Sequence, residues 1–114
     1  MRNAPVIYIV VPCYNEEEVL PLTAEFLGKK LDDLIRSRRI HPGSRVLMVD
    51  DGSKDKTWKL IEEFHEKDER FAGVKLSRNR GHQNALLAGL FEAARRRCDA
   101  AISMDADLQD DVDA

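Results

Sequence analysis

The chain has 114 residues, 43% of them hydrophobic and 34% charged, with a formal net charge of -3. That suits one globular domain with a buried core and is too little for two, and the acidic balance excludes a global basic field for nucleic acid. Cys13 and Cys98 lie far apart with no C-x-x-C or His-rich context, so neither a zinc site nor a disulfide framework is indicated, and reduced thiols in a cytoplasmic protein are expected.

Residues 1–14 carry an Arg and a short apolar run, but Pro5 and Pro12 interrupt it and Asn15-Glu16-Glu17-Glu18 follows at once. This is too short to span a bilayer and lacks a small-residue cleavage pattern, so residues 6–11 read as a buried strand. Next, Val19, Leu20, Leu22, Thr23, Phe26, Leu27, Leu31, Leu34 and Ile35 recur at three-to-four-residue spacing and predict a helix with one apolar stripe. Asn15 is expected to cap it, with Glu18 at capping-box spacing and Glu16 to Glu18 in its first turn. After the loop His41-Pro42-Gly43-Ser44, residues 45–49 form a second predicted strand. A helix over about residues 56–67 follows, capped by Ser53 or Asp55, with Trp58, Ile61 and Phe64 inward. Residues 73–76 read as a third strand. A third helix over about residues 82–97 presents Leu86, Gly89, Leu90, Ala93 and Ala94, a face small enough to approach a sheet closely, and residues 100–104 make a fourth strand. Arg36, Arg38, Arg39 and Arg95 to Arg97 read as solvated helix ends, where cations suit the helix dipole.

The strand runs are continuously apolar rather than alternating, as expected when helices cover both faces. The fold class is therefore α/β: a Rossmann-like, mainly parallel, right-handed sheet with helices on both faces. Ligands in such sheets gather at the carboxyl ends of the strands, and here each of those ends carries polar residues. At the first exit, Tyr14 after Pro12 offers an aromatic plane for a nucleobase and Glu16 an acceptor for a base or ribose donor; capping is the alternative role. At the second, Asp50-Asp51-Gly52-Ser53 offers carboxylates on a tight turn, or a helix cap, with Asp50 able to point into the turn. At the third, residues 77–84 place amides and guanidinium groups at a helix N-terminus, where an anion can bind. His82 has no partner carboxylate nearby in sequence and reads as capping or structural. At the fourth, Asp105 and Asp107 share one side if the backbone stays extended, and Gln109 continues the row. Two carboxylates so spaced can share Mg²⁺ or Mn²⁺, which leaves coordination sites for diphosphate oxygens. The alternative is an acidic surface segment, because Asp110, Asp111 and Asp113 continue the charge run.

Four stretches together carry a resemblance: Val11-Pro12-Cys13-Tyr14-Asn15-Glu16-Glu17, Val49-Asp50-Asp51-Gly52-Ser53-Lys54-Asp55, Arg78-Asn79-Arg80-Gly81-His82 and Met104-Asp105-Ala106-Asp107-Leu108-Gln109-Asp110. In order and spacing they resemble the nucleotide-binding half of family 2 glycosyltransferases, and Asp-Ala-Asp-Leu-Gln is most similar to the polyprenyl-phosphate branch, which includes dolichol-phosphate mannose synthases and bactoprenol glucosyltransferases. The resemblance implies a GT-A fold, a UDP- or GDP-sugar donor, a lipid-phosphate acceptor, and inverting transfer assisted by Mg or Mn. It implies that Pro12, Tyr14, Glu16 and Asp51 surround base and ribose, that Asp105 approaches ribose or metal, and that Asp107 and Gln109 hold the metal through this D-x-D motif. It also implies that residues 1–114 are the nucleotide-sugar-binding part, truncated after the motif. The acceptor half and its general base are then expected elsewhere, the isolated chain is expected to be inactive, and the whole protein is expected at the cytoplasmic face of a membrane. Where that branch follows Leu-Gln-Asp with prolines, this chain has Asp111-Val112-Asp113.

Two readings from other classes stand beside this one. The strand leading into Asp50-Asp51 is similar to the acidic pair of a phosphoaspartate receiver domain, although that pair belongs at the first strand and no Lys follows Asp105. A non-catalytic binding or assembly module is the other, since an exposed sheet edge can pair with another copy as a homo-oligomer.

Overall fold

Val concentrates in the apolar runs, with Ile7, Tyr8 and Ile9 beside it in the first, and such side chains favour a pleated backbone. The computed structural model describes residues 4–106 and forms, in order, β1 (Ile7–Cys13), α1 (Leu20–Arg36), β2 (Arg45–Asp50), α2 (Thr57–Lys67), β3 (Phe71–Lys75), α3 (His82–Arg95) and β4 (Ala100–Ser103). Every pairing is parallel and the strand order is β3-β2-β1-β4. β1 thus lies inside the sheet, and the order reverses between β1 and β4. A receiver-type sheet runs 2-1-3-4-5 instead, so the observed order counts against that class.

Alternate residues of the two central strands feed two cores. Ile9, Val11, Cys13, Val46 and Met48 pack with Leu20, Leu27 and Leu31 of α1 and Ile61 of α2 on one face, while Tyr8, Val10, Leu47 and Val49 pack with Ala85 and Ala93 of α3 on the other. Coverage of both faces explains why β1 and β2 read as unbroken apolar runs. β4 does not share it: all four of its residues are exposed, and Ile102 is 52% exposed at this open edge. The small face of α3 permits its close seat on the sheet. A Cβ at Gly89 would stand 2.4 Å from Val10 Cγ1 and 2.8 Å from Val49 Cγ2.

The start of α1 differs from the sequence expectation. The helix begins at Leu20 with Pro21 in its first turn, the flanking residue Val19 makes no side-chain cap bond, and no acidic residue lies in the first turn. Proline, with its fixed φ and missing N–H, suits the opening position of a helix. Asn15 is therefore released from capping. It takes φ +51°, and its side-chain oxygen accepts the Lys54 N–H at 2.9 Å. Within the stripe, Leu20, Thr23, Leu27 and Leu31 are buried but Leu22 is 68% exposed.

At the far end of α3, Glu92 accepts bonds from Arg95 Nη2 at 2.6 Å and Arg96 Nε at 2.7 Å. These bonds, Arg95's first, pull its carboxyl from an ordinary 4.5 down to about 2. A carboxyl depressed by folding stabilises the fold above its unfolded value and loses that contribution as pH falls through the folded one. Glu92→Gln is expected to cost roughly 0.5–1 kcal/mol at neutral pH, since the pair is a partly exposed surface interaction. Urea unfolding of both proteins should show that difference shrinking from about pH 4.5 and vanishing near pH 2.

Candidate functional site

Residues from all four strand exits meet in one cavity of about 450 Å³, at the carboxyl edge where the strand order reverses. Its wall contains Pro12, Tyr14, Glu16, Asp51, Asn79, Gly81, His82 and Asp105, together with Cys13, Ala85 and Ala106. All five residues expected around the nucleotide, Pro12, Tyr14, Glu16, Asp51 and Asp105, are thus brought together. Asp107 and Gln109 lie outside the described residues.

The loop after β1 is stapled to the segment preceding α2. Asn15 N–H donates to Ser53 Oγ at 2.8 Å, Glu16 N–H to Thr57 Oγ1 at 2.9 Å, and Glu17 N–H to Asp55 Oδ2 at 3.2 Å. These bonds hold the backbone of residues 15–17 and leave the Tyr14 ring 40% exposed at the cavity. Asp55 also accepts the Thr57 N–H at 2.9 Å, but neither it nor Ser53 is the cap expected for α2: the residue flanking the helix is Lys56, which makes no side-chain cap bond.

The two aspartates after β2 diverge. Asp50 is fully buried and turned into its own turn, with Oδ1 accepting the Ser53 N–H at 3.1 Å and Oδ2 without a partner among the described residues. Asp51, 3% exposed, faces the cavity, and its Oδ1 accepts the Arg80 N–H at 2.7 Å. That bond joins the second exit to the third. Gly52 makes the join possible: its φ is +71°, and a Cβ there would stand 2.4 Å from both the Arg78 carbonyl carbon and the Asn79 nitrogen. Beyond it, Asn79 Oδ1 accepts the Gly81 N–H at 3.0 Å, and α3 starts at His82 without a side-chain cap. The first-turn amides of α3 therefore carry their partial positive charge at the cavity wall.

At the fourth exit the strand stops at Ser103, and Ala106 already lies in a turn with its side chain buried. The row that would continue from Asp105 to Asp107 and Gln109 lies outside the described residues. Ala106 O accepts a bond from Thr23 Oγ1, which ties this segment to α1. Asp105 Oδ1 stands 4.0 Å from His82 Nε2, a pairing that no sequence proximity announced.

Three carboxylates, Glu16, Asp51 and Asp105, share the wall, so a diphosphate would be repelled unless a cation accompanied it. Among the described residues no group of three or more His, Cys, Asp or Glu side chains is placed to hold a metal ion. Asp105 nonetheless fits a hard cation that takes oxygen ligands and keeps water or phosphate in most of its shell. Cys13 offers no competing chemistry. Burial first, then the nearby Glu16 and Asp50, pushes its thiol far above the ordinary range, so it stays protonated.

In a parallel α/β sheet, ligands gather in the crevice at the reversal point, and the solved structures this fold matches are GT-A glycosyltransferases. Residues 8–114 match Glycosyl transferase family 2, and the chain belongs to that family. It is 51% identical over 111 residues to the uncharacterized glycosyltransferase YkoT of Bacillus subtilis, covering 97% of this chain and 33% of the relative. It is 37% identical over 102 residues to an undecaprenyl-phosphate 4-deoxy-4-formamido-L-arabinose transferase of Pectobacterium atrosepticum, covering 89% and 28%. The chain thus spans about a third of the length of these relatives. In fold it is similar to S. aureus TarS 1-349, with TM-score 0.63 at 22% identity over 90% of this chain and 27% of that one. It is also similar to the mannosyltransferase PcManGT of Pyrobaculum calidifontis in complex with GDP-Man and Mn²⁺, with TM-score 0.62 at 24% identity over 91% and 28%. Among the described residues no helix is long and apolar enough to cross a membrane.

Proposed function

We propose that this chain is the donor-binding part of an inverting glycosyltransferase that takes a UDP- or GDP-sugar, with Mg or Mn, for transfer to a polyprenyl phosphate at the cytoplasmic face of a membrane. The observation that carries the reading is the single cavity shared by Pro12, Tyr14, Glu16, Asp51 and Asp105. In this reading the Tyr14 ring stacks on the base, Asp51 accepts a base N–H, and Glu16 accepts from a ribose hydroxyl. Pro12 and Ala85 supply apolar wall. The amides opening α3 face the diphosphate, and His82 steadies the Asp105 carboxylate. Asp105, with Asp107 and Gln109, would hold the cation, whose chemistry is Lewis-acid stabilisation of the departing diphosphate.

The lipid acceptor is supported by the name of the Pectobacterium relative, and a divalent cation by the Mn²⁺ of the mannosyltransferase complex. Since the chain spans 33% of its B. subtilis relative, binding without turnover is the expected behaviour of the 114 residues alone. Calorimetry with UDP, GDP and their sugars tests this. Saturable one-to-one binding in Mn²⁺ that weakens at least about tenfold in EDTA is expected, a difference of roughly 1.4 kcal/mol. Absence of binding by every nucleotide would refute the proposal.

A further inference from the structure

Resting on that reading, we infer that Thr23 of α1, which is no part of the cavity wall, is a positioning residue for the cation end of the site: its hydroxyl fixes the Asp105 carboxylate through the Ala106 carbonyl. Thr23 sits in the apolar stripe with Leu20, Ala24, Leu27 and Leu31 and is 1% exposed. A valine would fill that place with no polar group to satisfy, so the buried hydroxyl calls for a partner. The usual partner of a helical threonine is the carbonyl four residues earlier. Here that carbonyl, Val19 O, lies 3.2 Å from Oγ1 but already accepts the Thr23 N–H at 3.0 Å. Ala106, itself buried, has no other donor to its carbonyl among the described residues. A hydroxyl carries one proton, and Ala106 O is the acceptor left stranded without it.

The consequence falls on Asp105, which lies between two anchors. On one side of it the Met104 N–H donates to Val10 O of β1 at 3.0 Å, and on the other the Ala106 carbonyl is held by α1. Backbone fixed on both flanks aims a side chain that is half exposed and whose contact with His82, at 4.0 Å, is too long for a hydrogen bond. The same helix is seated on the first strand exit, because the N–H groups of Val19 and Leu20 both donate to Glu16 O, at 3.1 and 2.9 Å. Glu16 has separate support from Thr57, whose Oγ1 accepts its N–H at 2.9 Å. Removing the Thr23 hydroxyl therefore releases the cation end and leaves the base end in place.

The experiment compares the 114-residue chain with Thr23→Val and Thr23→Ser by calorimetric titration with UDP and GDP, in EDTA and over a series of MnCl₂ concentrations. For the nucleotide that the unmodified chain binds more tightly, the Mn²⁺ concentration giving half of the full gain in affinity is expected to rise at least about tenfold in Thr23→Val, as when a group supporting a metal ligand is removed. Thr23→Ser keeps the hydroxyl and is expected to match the unmodified chain, and affinity in EDTA is expected to be the same in all three proteins. A threonine with a merely structural role would lower the urea midpoint of Thr23→Val without moving its Mn²⁺ dependence. An unchanged Mn²⁺ dependence in Thr23→Val, or an equal loss of affinity in EDTA, overturns the inference and leaves the nucleotide-binding proposal standing. Should Thr23→Val not fold, broadening of amide NMR signals by Mn²⁺ in the nucleotide-bound unmodified chain decides. The Thr23 signal is then expected to broaden well before that of Leu31, about 12 Å further along α1, and equal broadening overturns the inference. Nucleotide binding with no Mn²⁺ dependence removes the inference and the cation together, and failure of both nucleotides on the unmodified chain removes both readings.

Discussion

Gly52→Ala is expected to lower the unfolding free energy by more than about 2 kcal/mol and to weaken nucleotide binding at least about tenfold. Two independent costs add. A non-glycine residue at φ +71° carries roughly 1–2 kcal/mol of backbone strain. The new Cβ also lands 2.4 Å from the Arg78 carbonyl carbon and the Asn79 nitrogen, both backbone atoms that no side-chain rotation can clear. The loops after β2 and β3 must then separate, which stretches the 2.7 Å bond between Arg80 N–H and Asp51 and frees the carboxylate to turn. Binding falls because of lost orientation, even though Gly52 touches no ligand. Gly81→Ala is the control: φ is +93° there too, but nothing lies within 4 Å of the added Cβ, so only the conformational cost should appear. Urea unfolding and calorimetry measure both quantities. A Gly52→Ala protein that matched the unmodified chain in each would contradict the loop packing.

Leu27→Ala is expected to cost about 2–5 kcal/mol, the range for a buried leucine whose cavity only partly collapses. Leu27 is fully buried on α1, packed in the core that holds Val11, Val46 and Met48. For a domain whose whole stability is of order 5–15 kcal/mol, that is a large share. Leu22, five residues earlier in the same stripe and 68% exposed, is the counterpart: Leu22→Ala should stay within about 0.5 kcal/mol. Equal urea midpoints for the two variants would show that α1 is rotated on the sheet.

The contrast between these leucines shows what was legible in the sequence. Three-to-four-residue spacing identifies the helix and the rough direction of its apolar side, but not which edge of a broad stripe the sheet leaves uncovered. The strands were legible because burial on both faces makes β1 and β2 unbroken apolar runs. The Ala100–Ser103 run reads the same way, yet it forms an exposed edge among the described residues, since pairing order is a long-range property absent from any local pattern. At the site, residue types at the first two strand exits gave Tyr14, Glu16 and Asp51 as nucleotide candidates, and the family resemblance added Pro12 and Asp105. Their linkage was hidden: the Arg80 amide on Asp51, the backbone contact at Gly52 and the His82–Asp105 pair all join residues more than twenty positions apart. Asn15 does not cap α1 because Pro21 suits the opening turn of a helix that begins later, at Leu20.

The claim on which everything else rests is that the four strand exits form one nucleotide-diphosphate cavity. Amide NMR spectra recorded during titration with UDP and Mg²⁺ test it most directly, because each exit reports separately. The expected result is saturable shifts with a common dissociation constant at residues 13–16, 51–53, 79–85 and 105–106, and none at the C-terminal ends of α1 and α3. Shifts confined to one exit, or scattered along the β4 edge and the arginine-rich helix ends, would contradict it.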